Sequence, residues 1–130
     1  MKPYVNQETI SRKCSEWLTK IAPYNTHKFT LNPNNAALLV IDMQEFFLDP
    51  ASPSFTCGGP AILANLKTLI RAFRQAGRPV IYTKHVHHPE KLDAGIMGWW
   101  WDGMCLENSP ESEIQKDIAP VHGEKIIHKH

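Results

Sequence analysis

The chain has 130 residues, of which 42% are hydrophobic and 21% are charged, as expected for one globular domain. Its net charge of +1, without a basic run, argues against nucleic acid or an acidic membrane surface as a partner. No apolar run approaches the roughly 20 residues that span a bilayer, and the N-terminus has no signal-peptide core. We therefore expect a cytoplasmic protein.

The three cysteines are odd in number and contain no CxxC pair. This pattern argues against a disulfide framework and against a structural zinc site, so we expect free thiols in a reducing compartment. Cys57 precedes a predicted helix, which leaves a nucleophilic role open for it.

The first 30 residues are predicted to form an N-terminal helix and an extended connector, with the main domain over residues 31–130. Asn6 is a candidate helix cap and Pro23 a candidate helix end. The apolar residues between them follow helical spacing: Ile10, Cys14, Trp17, Leu18 and Ile21.

The main domain opens with the unbroken apolar run AALLVI (36–41), which is typical of a central strand covered on both faces. Residues 48–60 are rich in proline and glycine and are predicted to be a loop. An amphipathic helix follows and ends at Gly77, and PVIYT (79–83) is the next strand. A strand, helix and strand at this spacing predict two parallel strands.

The remaining chain is irregular from 85 to 108, with a short helix expected between Ser109 and Ile118. EKIIHK (124–129) is predicted to be a third strand. These elements predict an α/β fold with a mainly parallel sheet.

Ligands of parallel sheets bind beyond the carboxyl ends of the strands. Asp42, Lys84, His85 and Lys129 all lie at such ends and should gather at one edge of the sheet. Asp42 and Lys129 together could perform acid–base chemistry. A structural ion pair, or a carboxylate that caps a helix, is the alternative.

Histidines and tryptophans supply further candidates. His85 and His87 would share one face of an extended strand, but a metal site needs a third ligand, and Asp49 and His122 are unsupported for that role. We expect no metal and no other cofactor. Trp99, Trp100 and Trp101 either line a pocket or complete the core.

Four segments carry a resemblance to a known family: ALLVIDMQEFF (37–47), RPVIYTKH (78–85), WWWDGM (99–104) and SPESEIQKDIAPVHGEKIIHKH (109–130). In this order and at these intervals the chain resembles the isochorismatase-like cysteine hydrolases over roughly residues 30–130. The resemblance implies a Rossmann-like, three-layer α/β/α fold with six parallel strands in the complete domain and about three in this chain.

The resemblance also implies an Asp–Lys–Cys triad that hydrolyses a small-molecule amide, carbamate or vinyl ether. Asp42 matches the family's general base, and Lys129 matches its lysine. The family's nucleophilic cysteine comes a few dozen residues after that lysine, so this chain is expected to be the N-terminal portion of a hydrolase. Candidate substrate-binding residues are Gln44, Phe47, His85, Trp100 and Trp101, and we expect a homo-oligomer.

Two departures from the family bear on the substrate. No Asp-x-His motif lies in the 48–55 loop, so the metal site of nicotinamidase-type members is not carried over. His85 stands where the isochorismatase branch has glutamine, which argues against isochorismate itself.

Two other interpretations remain open. The chain could be a binding or scaffold protein that kept the fold without catalysis. A receiver-like phosphoacceptor domain is also conceivable, although Asp42 lacks an acidic neighbour and no acidic residue follows the second strand.

Overall fold

A computed structural model of the protein describes residues 3–27, 29–90, 93–100 and 103–130. Three strands form one sheet: β1 (Leu38–Ile41), β2 (Val80–His85) and β3 (Lys125–Lys129). The helices are α1 (Ile10–Ile21), α2 (Glu45–Leu48), α3 (Gly58–Gln75) and α4 (Met97–Trp100). Short 3₁₀ helices span Ala22–Tyr24, Pro33–Asn35, Pro110–Ser112 and Lys116–Ile118.

The strands are parallel, in the order β1-β2-β3. Ile41 pairs with Thr83, and His85 pairs with Lys129, so the ends of all three strands reach the same edge of the sheet. The predicted α/β class and parallel sheet are thereby confirmed.

The core lies between the sheet and α3. Val40, Val80, Tyr82 and Ile70 are its buried centre, with Leu63, Leu66 and Phe73 of α3 packed against them. The apolar stripe predicted for α3 is therefore the face that contacts the sheet. Gly77 ends the helix with φ +64°, and its N–H donates to the carbonyl of Arg74.

β1 differs from the expectation of burial on both faces. Leu39 and Ile41 are 50% and 57% exposed, because α3 covers only the opposite face of the sheet. The apolar run predicted the strand correctly, but the number of covering layers depends on the rest of the fold.

The segment after Ser109 is not the predicted single helix. Ser109 does cap a helical turn, and its hydroxyl accepts from the N–H of Ser112. The turn then ends because Ile114 bridges to Gln44 and the N–H of Gln115 donates to the carbonyl of Met43. These long-range bonds replace the local ones that a continuous helix would make.

Two boundaries also differ from the prediction. α3 begins at Gly58, inside the segment expected to be a loop, and β2 extends to His85. None of the helices in the described part of the chain is long and apolar enough to cross a membrane.

Candidate active site

Asp42 and Lys129 meet at the edge of the sheet. The Nζ of Lys129 lies 2.6 Å from Oδ2 of Asp42, and the two side chains are 44% and 21% exposed. Asp42 follows β1 and Lys129 ends β3, so the pair closes over the end of β2. The predicted proximity is confirmed, while the catalytic roles of both residues stay predictions.

Thr83 of β2 orients the Asp42 carboxylate. Its hydroxyl donates to Oδ1 of Asp42 at 2.6 Å and accepts the Asp42 N–H at 3.1 Å. Each carboxylate oxygen of Asp42 therefore has its own partner, Thr83 on one side and Lys129 on the other. Such hydrogen bonds to a charged oxygen are about twice as strong as neutral ones.

The backbone of Asp42 supports this arrangement. Its φ of +52° lies in the left-handed region, which aspartate tolerates better than most residues. The turn brings the Asp42 N–H to Thr83 instead of continuing β1. The carboxylate is therefore held in place by its own main chain as well as by its partners.

Gln44 lies inside the protein, and its amide serves the backbone. It is 0% exposed; Nε2 donates to the carbonyls of His85 and Ser112 at 3.0 Å each, and Oε1 accepts the His85 N–H at 2.7 Å. The amide thus joins the end of β2 to the 110–112 turn. A substrate-binding role for Gln44 stays a prediction.

His85 stands beside the Asp42–Lys129 pair. Its ring packs against Phe47 at 6.3 Å and against His87 at 4.7 Å between ring centres. Burial, followed by the charges of His87 and Lys129, lowers the pKa of His85. The ring is therefore neutral near pH 7 and can accept or donate a hydrogen bond.

The remaining predicted binding residues differ in how deeply they are buried. Phe47 is half-buried beside His85, whereas Trp100 on α4 is 75% exposed. Trp101 lies outside the described residues.

The three cysteines are free thiols that occupy other environments. Cys14 and Cys57 pack against Val5, Ile10 and Ala61. Cys105 is 1% exposed beside Gln44, and burial raises its pKa to about 11. A thiol held protonated in this way is a poor nucleophile at neutral pH.

A metal site requires at least three suitable side chains close together. Within the described ranges, no three His, Cys, Asp or Glu side chains are grouped so that they could hold a metal ion. His85 and His87 are adjacent, but the described site does not fit the metal centre of nicotinamidase-type members.

Sequence reasoning missed Thr83. Its signal was a polar residue at the end of the predicted strand PVIYT (79–83), which becomes informative once its register with Ile41 is known.

Comparison with known proteins identifies the family to which the chain belongs. The family model described as "Isochorismatase domain" matches residues 36–130. Nicotinamidase 3 of Arabidopsis thaliana is 40% identical over 96 residues, covering 73% of this chain and 44% of that protein. N-carbamoylsarcosine amidase of an Arthrobacter species is 32% identical over 103 residues, covering 74% of this chain and 39% of that protein.

Solved structures agree with the sequence comparisons. A cysteine hydrolase from Pseudomonas syringae pv. phaseolicola 1448A superposes with a TM-score of 0.72 at 27% identity. That match covers 78% of this chain and 49% of the other. The chain thus spans about half the length, or less, of the proteins it matches. Because the family model matches residues 36–130, which is most of its length, the chain belongs to the isochorismatase family.

Proposed function

We propose that this chain carries the Asp–Lys part of the active site of a hydrolase acting on small-molecule amides, carbamates or vinyl ethers. The contact of 2.6 Å between Lys129 and Asp42, at the edge where parallel strands end, is the observation that supports it best. Membership of a family that includes nicotinamidases and carbamoylsarcosine amidases supports the substrate class.

In the proposed reaction on an amide, Asp42 takes the proton of a cysteine thiol. The thiolate attacks the carbonyl carbon to form a thioester, and the amine leaves with the proton that Asp42 returns. Water, deprotonated by Asp42, then cleaves the thioester and restores the thiol. Lys129 stabilises the ionised form of Asp42, and Thr83 orients it.

The nucleophile is proposed to be a cysteine outside residues 1–130. Support comes from the environment of the three thiols within the chain. Cys105 is buried and protonated, and Cys14 and Cys57 pack into the cluster around Val5. For a vinyl ether substrate, Asp42 would instead act as the acid, and no thiol would be required.

Turnover tests this proposal. Ammonia release from nicotinamide and N-carbamoylsarcosine, and cleavage of isochorismate, would be measured for the complete protein that contains the proposed cysteine and for its Asp42→Asn variant. We expect the variant to lose about 10²- to 10⁴-fold in rate. Asp117→Asn is the matched control, because Asp117 is an exposed carboxylate 3.6 Å from Lys67. Unchanged turnover in Asp42→Asn would overturn the assignment.

We also propose that copies of the isolated 130-residue chain associate. Leu39, Ile41 and Ile127 leave one face of the sheet exposed, and every residue of β3 is exposed at the sheet edge. Exposed apolar faces and strand edges favour association between copies.

A cytoplasmic location is proposed from the three free thiols, which a reducing compartment preserves.

A further inference from the structure

A second polar cluster lies next to the Asp42–Lys129 pair and has no part in the chemistry described so far. Its centre is the Asp93 carboxylate. Both of its oxygens accept the His88 N–H, at 3.0 and 3.1 Å, and Oδ2 lies 2.8 Å from Nδ1 of His130. Oδ1 lies 3.4 Å from Nδ1 of His87.

The Asp93 carboxyl is ionised at neutral pH. Burial opposes its ionisation, but the N–H groups of His88 and of Asp93 itself, with smaller electrostatic contributions from His87 and His130, lower its pKa. His130 is oriented as a donor, because its Nδ1 also lies 2.7 Å from the carbonyl of Val86, which can only accept.

His87 is the buried member of the cluster, with 2% of its surface exposed. Within the described residues its Nδ1 makes no hydrogen bond, although the Asp93 carboxylate lies 3.4 Å from it. A lone pair at this position would face the lone pairs of an anion, whereas an N–H would be attracted to it. Electrostatics therefore favours the tautomer with the proton on Nδ1 of His87.

The tautomer of His87 determines the tautomer of His85. The two Nε2 atoms are 3.1 Å apart, so one must donate and the other accept. If Nδ1 of His87 carries its proton, Nε2 of His87 accepts, and Nε2 of His85 must donate. Nδ1 of a neutral His85 is then left without a proton.

The backbone of His85 is held independently. Gln44 binds both its N–H and its carbonyl, and Phe47 packs against the ring. Ring position is therefore set by Gln44 and Phe47, which leaves the proton position to be set by His87.

We propose that Asp93 is a positioning residue that acts through His87 to hold His85 in the Nε2–H tautomer, so that Nδ1 of His85 accepts a hydrogen bond from a substrate. This rests on the proposed function, and it favours substrates that present an N–H donor, as amides and carbamates do. An ester or carboxylate offers only acceptors to the same atom.

Nitrogen-15 NMR tests the tautomers without any assay of turnover. Long-range proton–nitrogen spectra at about pH 8, where ordinary histidines are neutral, distinguish protonated from bare ring nitrogens. Signals of His85 and His87 would be assigned with His85→Asn and His87→Asn. We expect a protonated Nδ1 on His87 and a bare Nδ1 on His85 in the unaltered chain.

The Asp93→Asn variant tests whether the Asp93 charge determines the tautomer of His85. Removing the charge should shift the His85 nitrogen signals toward values averaged between tautomers. Glu107→Gln is the matched control, because Glu107 is a carboxylate 3.6 Å from another histidine, His128; it should leave the His85 signals in place.

Two results would overturn the proposal: a protonated Nδ1 on His85 in the unaltered chain, or unchanged His85 signals in a folded Asp93→Asn variant. If that variant does not fold, the spectrum of the unaltered chain decides alone. Loss of the proposed hydrolase activity would not affect this outcome, so the two proposals fail separately.

Discussion

Gln44 and His85 are joined by two hydrogen bonds, with Oε1 accepting the His85 N–H at 2.7 Å and Nε2 donating to its carbonyl at 3.0 Å. One side-chain amide thus satisfies both main-chain groups of the residue that ends β2. The segment after β1 is thereby fastened to the end of the neighbouring strand, which places Asp42, His85 and Lys129 side by side.

Gln44→Ala is expected to destabilise the protein by about 3 kcal/mol. The substitution leaves the N–H and carbonyl of His85 without their partner and opens a void in a fully buried position. Urea denaturation measures the loss. Gln115→Ala is the control, because that amide only accepts the exposed Asp117 N–H and should cost about 1 kcal/mol or less. Equal losses in both variants would contradict a structural role for Gln44.

Thr83→Val should reduce turnover about 10- to 100-fold while costing about 1 kcal/mol of stability. Valine keeps the shape of the side chain but removes the hydroxyl that donates to Oδ1 of Asp42. Steady-state kinetics and thermal melting measure the two effects.

Thr83→Ser should restore the rate, because it returns the hydroxyl. Thr68→Val is the control, since Thr68 bonds only to its own helix at the carbonyl of Ala64. A Thr83→Val enzyme with full activity would show that the hydroxyl does not orient Asp42.

Stability should fall as the pH rises from about 9 to about 11, in part because of Cys105. Burial raises the pKa of this thiol from 9.0 to about 11 in the folded protein. Between these values the unfolded chain loses the proton while the native thiol keeps it, so the native state binds more protons and deprotonation favours unfolding. The contribution reaches at most about 3 kcal/mol, because each pKa unit corresponds to about 1.4 kcal/mol.

Cys105→Ala should flatten this pH dependence, as measured by denaturation at several pH values. Tyr82, whose pKa is also raised by burial, is present in both proteins, so the difference between them isolates Cys105. Cys57→Ala controls for removing a cysteine as such. A Cys105→Ala slope identical to that of the unaltered chain would refute the prediction.

Association between copies should weaken in the double variant Leu39→Gln and Ile127→Gln. Both residues lie on the open face of the sheet, with 50% and 40% of their surface exposed. Light scattering after size-exclusion chromatography measures the mass. Leu69→Gln, on α3 and 48% exposed, should change nothing. If the unaltered chain has the mass of a monomer at all concentrations, the proposal is excluded.

Local sequence patterns predicted the main elements. The apolar run before Asp42, the stripe on α3 and the glycine after it each depend on neighbouring residues, so β1, α3, β2 and β3 could be predicted. The meeting of Asp42 with Lys129 also followed from the sequence, because parallel strands deliver their carboxyl ends to one edge.

The segment from Ser109 to Ile118 could not be predicted in the same way. Its first turn is capped locally, but its course beyond Ser112 is decided by bonds to residues 43–45, which are far away in the chain. A helical pattern cannot reveal such competition, since the competing partners exist only in the folded state.

The sequence by itself determined the three strands, the long helix α3 and which charged residues end the strands. Only the tertiary structure decided that Gln44 serves the backbone of His85, that Thr83 holds Asp42, and that Asp93 faces His87. The physical reason is that hydrogen bonds depend on direction and distance between groups that folding brings together, whereas hydrophobic periodicity is written into consecutive residues.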